Sequence, residues 1–373
     1  MKNREVVQYA VVPPGLEPLC ARELQALGIE PEVVEPGGVA WRGRLRELYL
    51  ANLWLRSASR ILVRCAELKA RDFPSLFRKA VRLPWGEFVR PGQPVAFRIS
   101  SRRSRLVHRD RIAETLALAA HQALGQPELD PELPPQTFVG RFFQDCLLLS
   151  ADSSGDHLHR RGYRIRQGEA PLRENLAAGM LLTVGYEGGP LVDPFCGSGT
   201  LAIEAALIAG RRAPGRRRSF AFMHWPGFRD GLWRLLLQEA DRAAVAIPEG
   251  MIHASDSDPE MVAVACANAI RAWLDGEVVW SCRDALDLEP PAPSGLWIAN
   301  PPYGERLGEP AAVRSFCRRL GDRLGRVWAG WQRAVLLPDP ALLGPVQRTW
   351  SRMPLRNGGL KVWLAGEGFT TDG

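Results

Sequence analysis

Residues 191–209 read Leu191-Val-Asp-Pro-Phe-Cys-Gly-Ser-Gly-Thr-Leu-Ala-Ile-Glu-Ala-Ala-Leu-Ile-Ala209: a short apolar strand, a glycine-rich turn and an apolar helix. This order predicts an open, mostly parallel α/β sheet. Gly197 and Gly199 permit a positive φ and let a ligand approach the backbone closely. No GK[ST] follows the turn, and the third glycine of a dinucleotide fingerprint is missing. An acid at the strand end, Asp193, instead favours a zwitterionic ligand with an ammonium group.

Two further acids at predicted strand ends fit the same site. Asp256 can accept both hydroxyls of a ribose, and Asp284 is placed to contact an adenine amino group. Each acid alone is better explained as a cap or turn residue, but the three in this order favour an adenosyl cofactor. Asp258 is predicted to be an N-cap. The usual gap between such a turn and the second acid is about 20 residues, so residues 210–250 are predicted to be an insertion.

The stretch Trp297-Ile-Ala-Asn-Pro-Pro-Tyr-Gly304 carries the predicted chemistry. Two prolines make the backbone rigid and non-helical directly after a strand, which fixes Asn300 at the carboxyl edge of the sheet. An exocyclic amine is a poor nucleophile because its lone pair is delocalised into the ring. The Asn300 side-chain oxygen and the Pro301 carbonyl can accept its protons, and Tyr303 offers a flat face to an extruded base. Alone, this string is also typical of a proline turn.

The two strings together favour methyl transfer from S-adenosylmethionine to an amine, a reaction that needs no metal. The catalytic candidates are Asn300, Pro301, Pro302 and Tyr303. The cofactor-binding candidates are Asp193, Pro194, Cys196, Gly197, Ser198, Gly199, Thr200, Asp256, Asp284 and Asn300. Cys196 is better explained as a small turn residue than as a nucleophile.

Composition sets broader bounds. The 373 residues predict two or three domains, and the 46% of hydrophobic residues exclude global disorder. The net charge of +7 suits a polyanionic partner. Seven scattered cysteines without a CxxC pair argue against disulfides and structural zinc. No signal peptide or membrane-spanning run is evident, so a cytoplasmic protein is expected.

The two motifs resemble the amino-methylating branch of the class I methyltransferases, in which [DNS]PP[YFW] acts on exocyclic nitrogens. With GLEPLCARELQALG, SADSSGDHLHRRGYR, APLRENLAAGML and NPPYGERLG, the chain resembles THUMP-containing RNA guanine-N2 methyltransferases, and most of all the RlmL type that acts on 23S ribosomal RNA. The resemblance implies a ferredoxin-like segment at 1–65, a THUMP RNA-binding domain at 66–160 and a Rossmann-like catalytic domain at 165–373. The expected fold class is α/β with an α+β N-terminal region.

Two arginine clusters are candidates for RNA binding. Arginine next to aromatic residues suits RNA because it combines phosphate contacts with stacking on bases. A solvated charged face explains each cluster about equally well. The candidates are Arg98, Arg102, Arg103, Arg105, Arg109, Arg216, Arg217 and Arg218, the last three beside Phe220, Phe222, His224 and Trp225. Arg160, Arg161 and Arg164 can bridge domains or touch RNA, and three tryptophans (Trp273, Trp280 and Trp331) are expected in the core.

Three other functions stay open. A tRNA guanosine-N2 methyltransferase has the same layout, so the choice of ribosomal RNA depends on local strings. A DNA adenine-N6 methyltransferase shares the Asn-Pro-Pro-Tyr chemistry but has no support from the N-terminal region. A noncatalytic RNA-binding assembly factor is disfavoured because every residue of the cofactor turn is retained.

Overall fold

The structure is a computed structural model that describes residues 4–164, 172–302 and 310–369. These residues form two compact units. The first contains the chain up to Val12, Glu23–Leu158 and Arg218–Leu237. The second contains Pro13–Arg22, His159–Arg217 and the chain from Gln238 onward.

The first unit is built on a seven-stranded sheet in the order β2-β3-β1-β4-β7-β6-β5. Its strands are β1 (Val6–Val11), β2 (Val33–Glu35), β3 (Gly38–Gly43), β4 (Arg60–Lys69), β5 (Val95–Arg102), β6 (Gln136–Phe143) and β7 (Cys146–Asp152). Helices in this part of the chain are α1 (Glu17–Ala26), α2 (Leu45–Trp54), α3 (Phe73–Ala80) and α4 (Arg109–Ala123). Only β5 and β6 pair in parallel. The mixed α/β content agrees with the predicted α+β N-terminal region.

The segment Arg218–Leu237 belongs to the first unit, although the sequence placed it inside a continuous catalytic domain at 165–373. Its aromatic side chains explain the difference. Phe220, Phe222 and Trp225 are at most 2% exposed. The Phe222 ring stacks on Tyr49 at 4.4 Å between centroids. The indole N–H of Trp225 donates to Gln136 Oε1 at 2.7 Å. These rings are core residues of the first unit, so the expectation that they stack on RNA bases is wrong.

The second unit is built on a seven-stranded sheet in the order β10-β9-β8-β11-β12-β14-β13. Its strands are β8 (Leu191–Asp193), β9 (Ile252–Asp256), β10 (Val279–Cys282), β11 (Leu296–Ala299), β12 (Gln332–Leu337), β13 (Ser351–Asn357) and β14 (Leu360–Gly366). Its helices are α5 (Glu174–Thr183), α6 (Thr200–Ala209), α8 (Pro259–Arg271) and α9 (Pro310–Arg326), and α7 (Asp230–Ala243) crosses the division between the units. Strands β8 to β12 are parallel, whereas β14 is antiparallel to β12 and β13. The predicted Rossmann-like α/β fold is confirmed.

Tryptophans in the second unit divide between core and surface. Trp331 is 3% exposed and packs in the cluster around Trp297 and Trp328, as expected. Trp280 is half-buried. Trp273 is 73% exposed, so its predicted place in the core is wrong. The predicted start of the catalytic domain at residue 165 falls among residues 165–171, which lie outside the described part of the chain.

Candidate functional site

Four parallel strands bring the predicted cofactor residues to one edge of the second sheet. Asp193 is level with Ala254 on the neighbouring strand, and Cys282 is level with Asp256. Asn300 directly follows β11, which pairs with β8. Because all four strands run in the same direction, their carboxyl ends and the residues after them share this edge, where open α/β sheets bind ligands.

The glycine turn links β8 to α6 as the sequence predicts. Gly197 has a φ of 49° and Gly199 a φ of 84°, which glycine adopts without steric cost. A Cβ on Gly199 would lie 2.9 Å from Trp280 Cη2 and 3.0 Å from Ala265 Cβ. Apart from its chain neighbours, a Cβ on Gly197 would meet no atom of the described residues within 4 Å. Gly199 is therefore a packing requirement, whereas Gly197 faces space that a ligand can enter.

Asp256 ties the end of β9 to this turn. One carboxylate oxygen accepts from the Gly197 N–H at 2.9 Å, and the other accepts from the Asp258 N–H at 3.0 Å. The Cys196 N–H donates to the Ser255 carbonyl at 2.9 Å. Carboxylate oxygens accept more than one hydrogen bond, so Asp256 can hold the turn and still receive ribose hydroxyls. Asp258 caps α8 by accepting from Glu260 N, and its predicted N-cap role is confirmed.

Asp193 is fully buried and only partly satisfied. Its Oδ1 accepts from Phe195 N at 3.3 Å. Among the described residues Oδ2 has no hydrogen-bond partner. Burial raises the pKa of Asp193 to about 8; the backbone N–H groups of Phe195 and Ala202 oppose this rise, and the charge of Asp256 adds to it. A buried carboxyl left unpaired is costly, and a cationic group on a ligand is the partner that would complete it.

Asn300, which follows the neighbouring strand β11, also has a buried side-chain oxygen that the described residues leave unsatisfied. Its side-chain Oδ1 is buried and has no hydrogen-bond partner within the described ranges. Pro301 is buried and Pro302 half-buried directly after it. Tyr303 and Gly304 lie outside the described residues. The amide oxygen is therefore an acceptor held ready at the carboxyl edge, as the predicted amine contact requires.

The remaining cofactor candidates have mainly structural contacts. Asp284 is exposed and caps a short 3-10 turn by accepting from Leu286 N at 2.8 Å. Pro194 and Ser198 are buried in the turn. Cys196 is buried, and burial raises the pKa of its thiol far above the usual range, which supports a turn role over a nucleophilic one.

Two contacts that support the turn were not predicted. Asn268, fully buried on α8, donates from Nδ2 to the Ser198 carbonyl at 3.0 Å. Arg164 donates to Thr200 Oγ1 at 2.8 Å and pairs with Glu174 at 3.2 Å. A polar side chain inside an otherwise apolar helical pattern is the signal that would have found Asn268.

Arg161 also turns inward, contrary to a role in touching RNA. Its guanidinium forms a buried ion pair with Glu204 at 3.4 Å. Glu204 is the single charged residue of α6 and also accepts from Tyr163 Oη at 3.3 Å. A lone acid in an apolar helix implies a buried cationic partner, so the sequence could have predicted an ion pair for Glu204.

The first arginine cluster is exposed. Arg98 and Arg102 share one face of β5, the edge strand of the first sheet, and Arg141 and Phe143 are exposed opposite Ser100 and Arg102 on β6. The other exposed members of the cluster are Arg103, Arg105 and Arg109. A basic face with an exposed ring is compatible with a nucleic acid partner.

The second arginine cluster has partners within the protein. Arg216 binds both carboxylate oxygens of Asp241 at 2.6 and 2.8 Å. Arg218 donates to the carbonyls of Asp156 and His157 at 2.8 and 2.6 Å. The Arg217 guanidinium lies 3.1 Å from the centre of the Trp273 ring. These contacts favour a structural role for Arg216 and Arg218.

No helix within the described ranges is long and apolar enough to cross a membrane. The same residues contain no group of three or more His, Cys, Asp and Glu side chains able to hold a metal ion.

Comparison with known proteins identifies the family. The chain matches the RMKL-like methyltransferase domain over residues 161–363 and the RlmL ferredoxin-like domain over residues 8–62. It is 36% identical over 368 residues to a Synechocystis sp. protein with the provisional name RNA methyltransferase, with 95% of each chain covered. It is 38% identical over 343 residues to the ribosomal RNA large subunit methyltransferase K/L of Methylococcus capsulatus, covering 88% of this chain and 46% of that protein.

The solved structures agree. SMU.472, provisionally a methyltransferase and crystallised with SAH, superposes with a TM-score of 0.89 at 31% identity over 99% of both chains. The chain spans about half the length of the K/L relatives that it matches. The chain belongs to the RMKL-like methyltransferase family, and it is an S-adenosylmethionine-dependent methyltransferase.

Proposed function

We propose that this enzyme methylates the exocyclic N2 amine of a guanine in large-subunit (23S) ribosomal RNA. The observation that carries the proposal is the buried Oδ1 of Asn300 at the carboxyl edge of the sheet, which has no hydrogen-bond partner among the described residues. A hydrogen-bond acceptor in this position can orient a substrate amine, and the amine does not have to lose a proton before it attacks. The K/L relatives, named as ribosomal RNA large subunit methyltransferases, support the choice of RNA.

The residues of the carboxyl edge fit S-adenosylmethionine. Asp193 offers to the ammonium group a buried oxygen that has no hydrogen-bond partner in the part of the chain that the structure describes. Gly197 leaves open space at the turn, and in this proposal Asp256 would receive the ribose and Asp284 the adenine. When bound, the cofactor supplies an activated methyl group on a sulfonium. The protein then has to exclude water and hold the acceptor in line.

Asn300 and Pro301 would position the acceptor amine. Hydrogen bonds from the two amine protons to Asn300 Oδ1 and the Pro301 carbonyl draw the nitrogen towards a pyramidal geometry, which frees its lone pair for attack. An amide oxygen does not keep a proton at neutral pH, so the displaced proton passes to solvent. Pro302 holds the backbone non-helical, and Tyr303 would stack on the extruded base.

The exposed arginines of the first unit would hold the RNA. Arg98 and Arg102 project from an edge strand together with the ring of Phe143 on β6. Arginine contacts phosphates and an exposed ring stacks on unpaired bases. Residues 66–160 would act as the THUMP domain, after a ferredoxin-like segment at 1–65. A cytoplasmic location, where ribosomal RNA is accessible, is part of the same proposal.

Transfer of labelled methyl groups to four substrates tests the proposal. Unmodified 23S ribosomal RNA, an unmodified tRNA pool, double-stranded DNA and 16S ribosomal RNA are incubated with the protein and labelled S-adenosylmethionine. We expect label in 23S RNA alone. Label only in tRNA would move the assignment to the tRNA guanosine-N2 branch, label in DNA would establish an adenine-N6 enzyme, and label in none would favour a noncatalytic RNA-binding factor.

A further inference from the structure

Trp273 occupies an unusual position at the end of α8. The helix ends at Arg271 with Ala272 as its C-cap, and Trp273 follows with a φ of 60°. Glycine is the common residue at this position because the left-handed conformation crowds a Cβ. The indole is nevertheless 73% exposed, the largest exposed fraction among the bulky hydrophobic side chains of the described residues. Neither local conformation nor core packing accounts for a tryptophan here.

The indole is held from one side by arginine. The Arg217 guanidinium lies 3.1 Å from the ring centre, and its Nη1 donates to the Arg271 carbonyl at 3.4 Å. Arg212 donates to the Trp273 carbonyl at 3.0 Å. The ring is therefore stacked on a cation that is itself anchored to the helix end. A flat aromatic face remains open to solvent.

The surroundings of the ring are basic. Arg211, Arg217 and Arg271 are exposed in the second unit, as is one acid close to the ring in the chain, Asp275. Glu277 pairs with Arg212 and Asp241 pairs with Arg216. Within the described ranges Arg217 has no acidic partner. A positive stretch around an open aromatic face is complementary to a polyanion with bases that can stack.

We propose that Trp273, backed by Arg217, is a stacking platform for an unpaired base of the RNA substrate. The inference rests on the proposed function in taking RNA as the substrate. The platform is remote from the cofactor edge, because α8 starts beside that edge and its 13 residues run about 20 Å away from it. The contact therefore contributes to RNA affinity and not to the chemical step.

A protein partner or a second copy of this chain is the competing occupant. Ile270, three residues earlier on the helix, is 56% exposed and adds apolar surface. The arginines favour RNA over a second copy, since two such surfaces would bring like charges together. Self-association therefore becomes an outcome that the experiment must separate.

The test compares Trp273→Gly with Trp273→Phe. Glycine suits the positive φ, so the first variant should fold at least as well as the wild type. We expect it to weaken binding of an unstructured, fluorescein-labelled RNA of about 12 nucleotides roughly tenfold. Phenylalanine keeps a ring and should restore most of the affinity. Affinity for duplex RNA of equal length should not change, because paired bases offer no open face.

A matched control and the methyl-transfer assay separate the outcomes. Leu360→Ala removes another exposed hydrophobic side chain of the second unit, 58% exposed at the start of β14, and should leave RNA affinity unchanged. With 23S RNA, Trp273→Gly should raise KM about tenfold at an unchanged kcat. Unchanged single-strand affinity would overturn the platform and leave the proposed function intact. If the wild type bound 23S RNA but transferred no methyl group, the proposed function would be overturned. The single-strand RNA affinities of the wild type and Trp273→Gly would then decide on the platform.

Self-association has its own signature. Sedimentation would show a wild-type dimer that Trp273→Gly dissociates, with no change in RNA affinity. That result would overturn the RNA platform and assign the surface to a second copy of the chain.

Discussion

Two sets of polar groups in the second unit have opposite environments. Asp193 and Asn300 are at the carboxyl edge, and each has a buried oxygen without a partner among the described residues. Arg216, on the surface of the same unit, binds both oxygens of Asp241. Where unsatisfied buried oxygens meet at the carboxyl edge of a parallel sheet, a ligand is expected to complete them. A surface charge that is paired within the protein, as Arg216 is, indicates a structural role, even where the sequence resembles a nucleic-acid-binding site.

The largest expected effect comes from removing the unpartnered amide. Asn300→Ala should lower kcat by about 10²–10³ because an oriented acceptor is lost, in line with the loss of a positioned hydrogen-bonding group elsewhere. The affinity for S-adenosylmethionine and the unfolding midpoint should stay close to wild type. Asn300→Asp keeps an acceptor oxygen and serves as the conservative control. Undiminished turnover of the alanine variant would remove Asn300 from the mechanism.

The second unsatisfied group should make cofactor binding depend on pH. Because burial raises the pKa of Asp193 to about 8, its carboxyl is protonated below that value, and a cationic ligand favours the ionised form. The affinity for S-adenosylmethionine should therefore rise by up to about tenfold per pH unit from pH 6 to 8 and level off above. Calorimetry across this range measures it.

The Asp193 carboxyl should also make the free energy of unfolding depend on pH, but here the effect falls as the pH rises. Asp193 binds its proton more tightly when folded than when unfolded, so its contribution is fully present below about pH 4 and is lost as the pH rises through 8. Asp193→Asn should abolish both trends, whereas Asp284→Asn, at an exposed carboxyl on the same edge, should keep them. A flat affinity profile in the wild type would contradict the proposed contact with the ammonium group.

A smaller effect separates the two glycines of the turn. Gly199→Ala should destabilise the protein by about 2–3 kcal/mol, because an L residue is strained at positive φ and its Cβ would collide with Trp280 and Ala265. Gly197→Ala carries the conformational cost alone, about 1–2 kcal/mol. Urea unfolding of both variants measures the difference. Equal losses would mean that the packing of the turn against α8 is looser than described.

The smallest effect is expected at the satisfied arginine. Arg216→Gln should change the free energy of unfolding by at most about 1 kcal/mol, because the pair with Asp241 is solvent-exposed and screened. RNA affinity should hardly change, whereas the double substitution Arg98→Gln with Arg102→Gln should weaken it and reduce its salt dependence. A larger loss of RNA binding for Arg216→Gln would break the contrast between the satisfied and the unsatisfied groups.

The carboxyl edge was predictable because parallel strands leave little choice of geometry. Once the glycine turn identifies β8, every later parallel strand must end at the same edge, so Asp256 and Asn300 follow from their order in the chain. The contacts that hold this edge were not predicted. Asn268 reaches the Ser198 carbonyl from a point 70 residues further along the chain, and no local pattern specifies that distance.

The arginine clusters show where local reasoning fails. Arg98 and Arg216 both lie in arginine-rich segments, yet the acid that pairs with Arg216 is 25 residues away on α7. Phe220 and Phe222 follow an arginine cluster in the chain, yet their rings lie in the core of the first unit, because burial of aromatic surface is strongly favourable. Trp273 shows the reverse case, in which an aromatic residue expected in the core is exposed beside arginine.

The central claim is methyl transfer to the N2 amine of guanine, oriented by Asn300. Unmodified 23S ribosomal RNA is incubated with S-adenosylmethionine and either the wild type or Asn300→Ala, digested to nucleosides and analysed by mass spectrometry. The account predicts N2-methylguanosine with the wild type and a decrease of about 10²–10³ in its initial rate of formation with the variant. N6-methyladenosine as the product, or equal rates from both proteins, would contradict it.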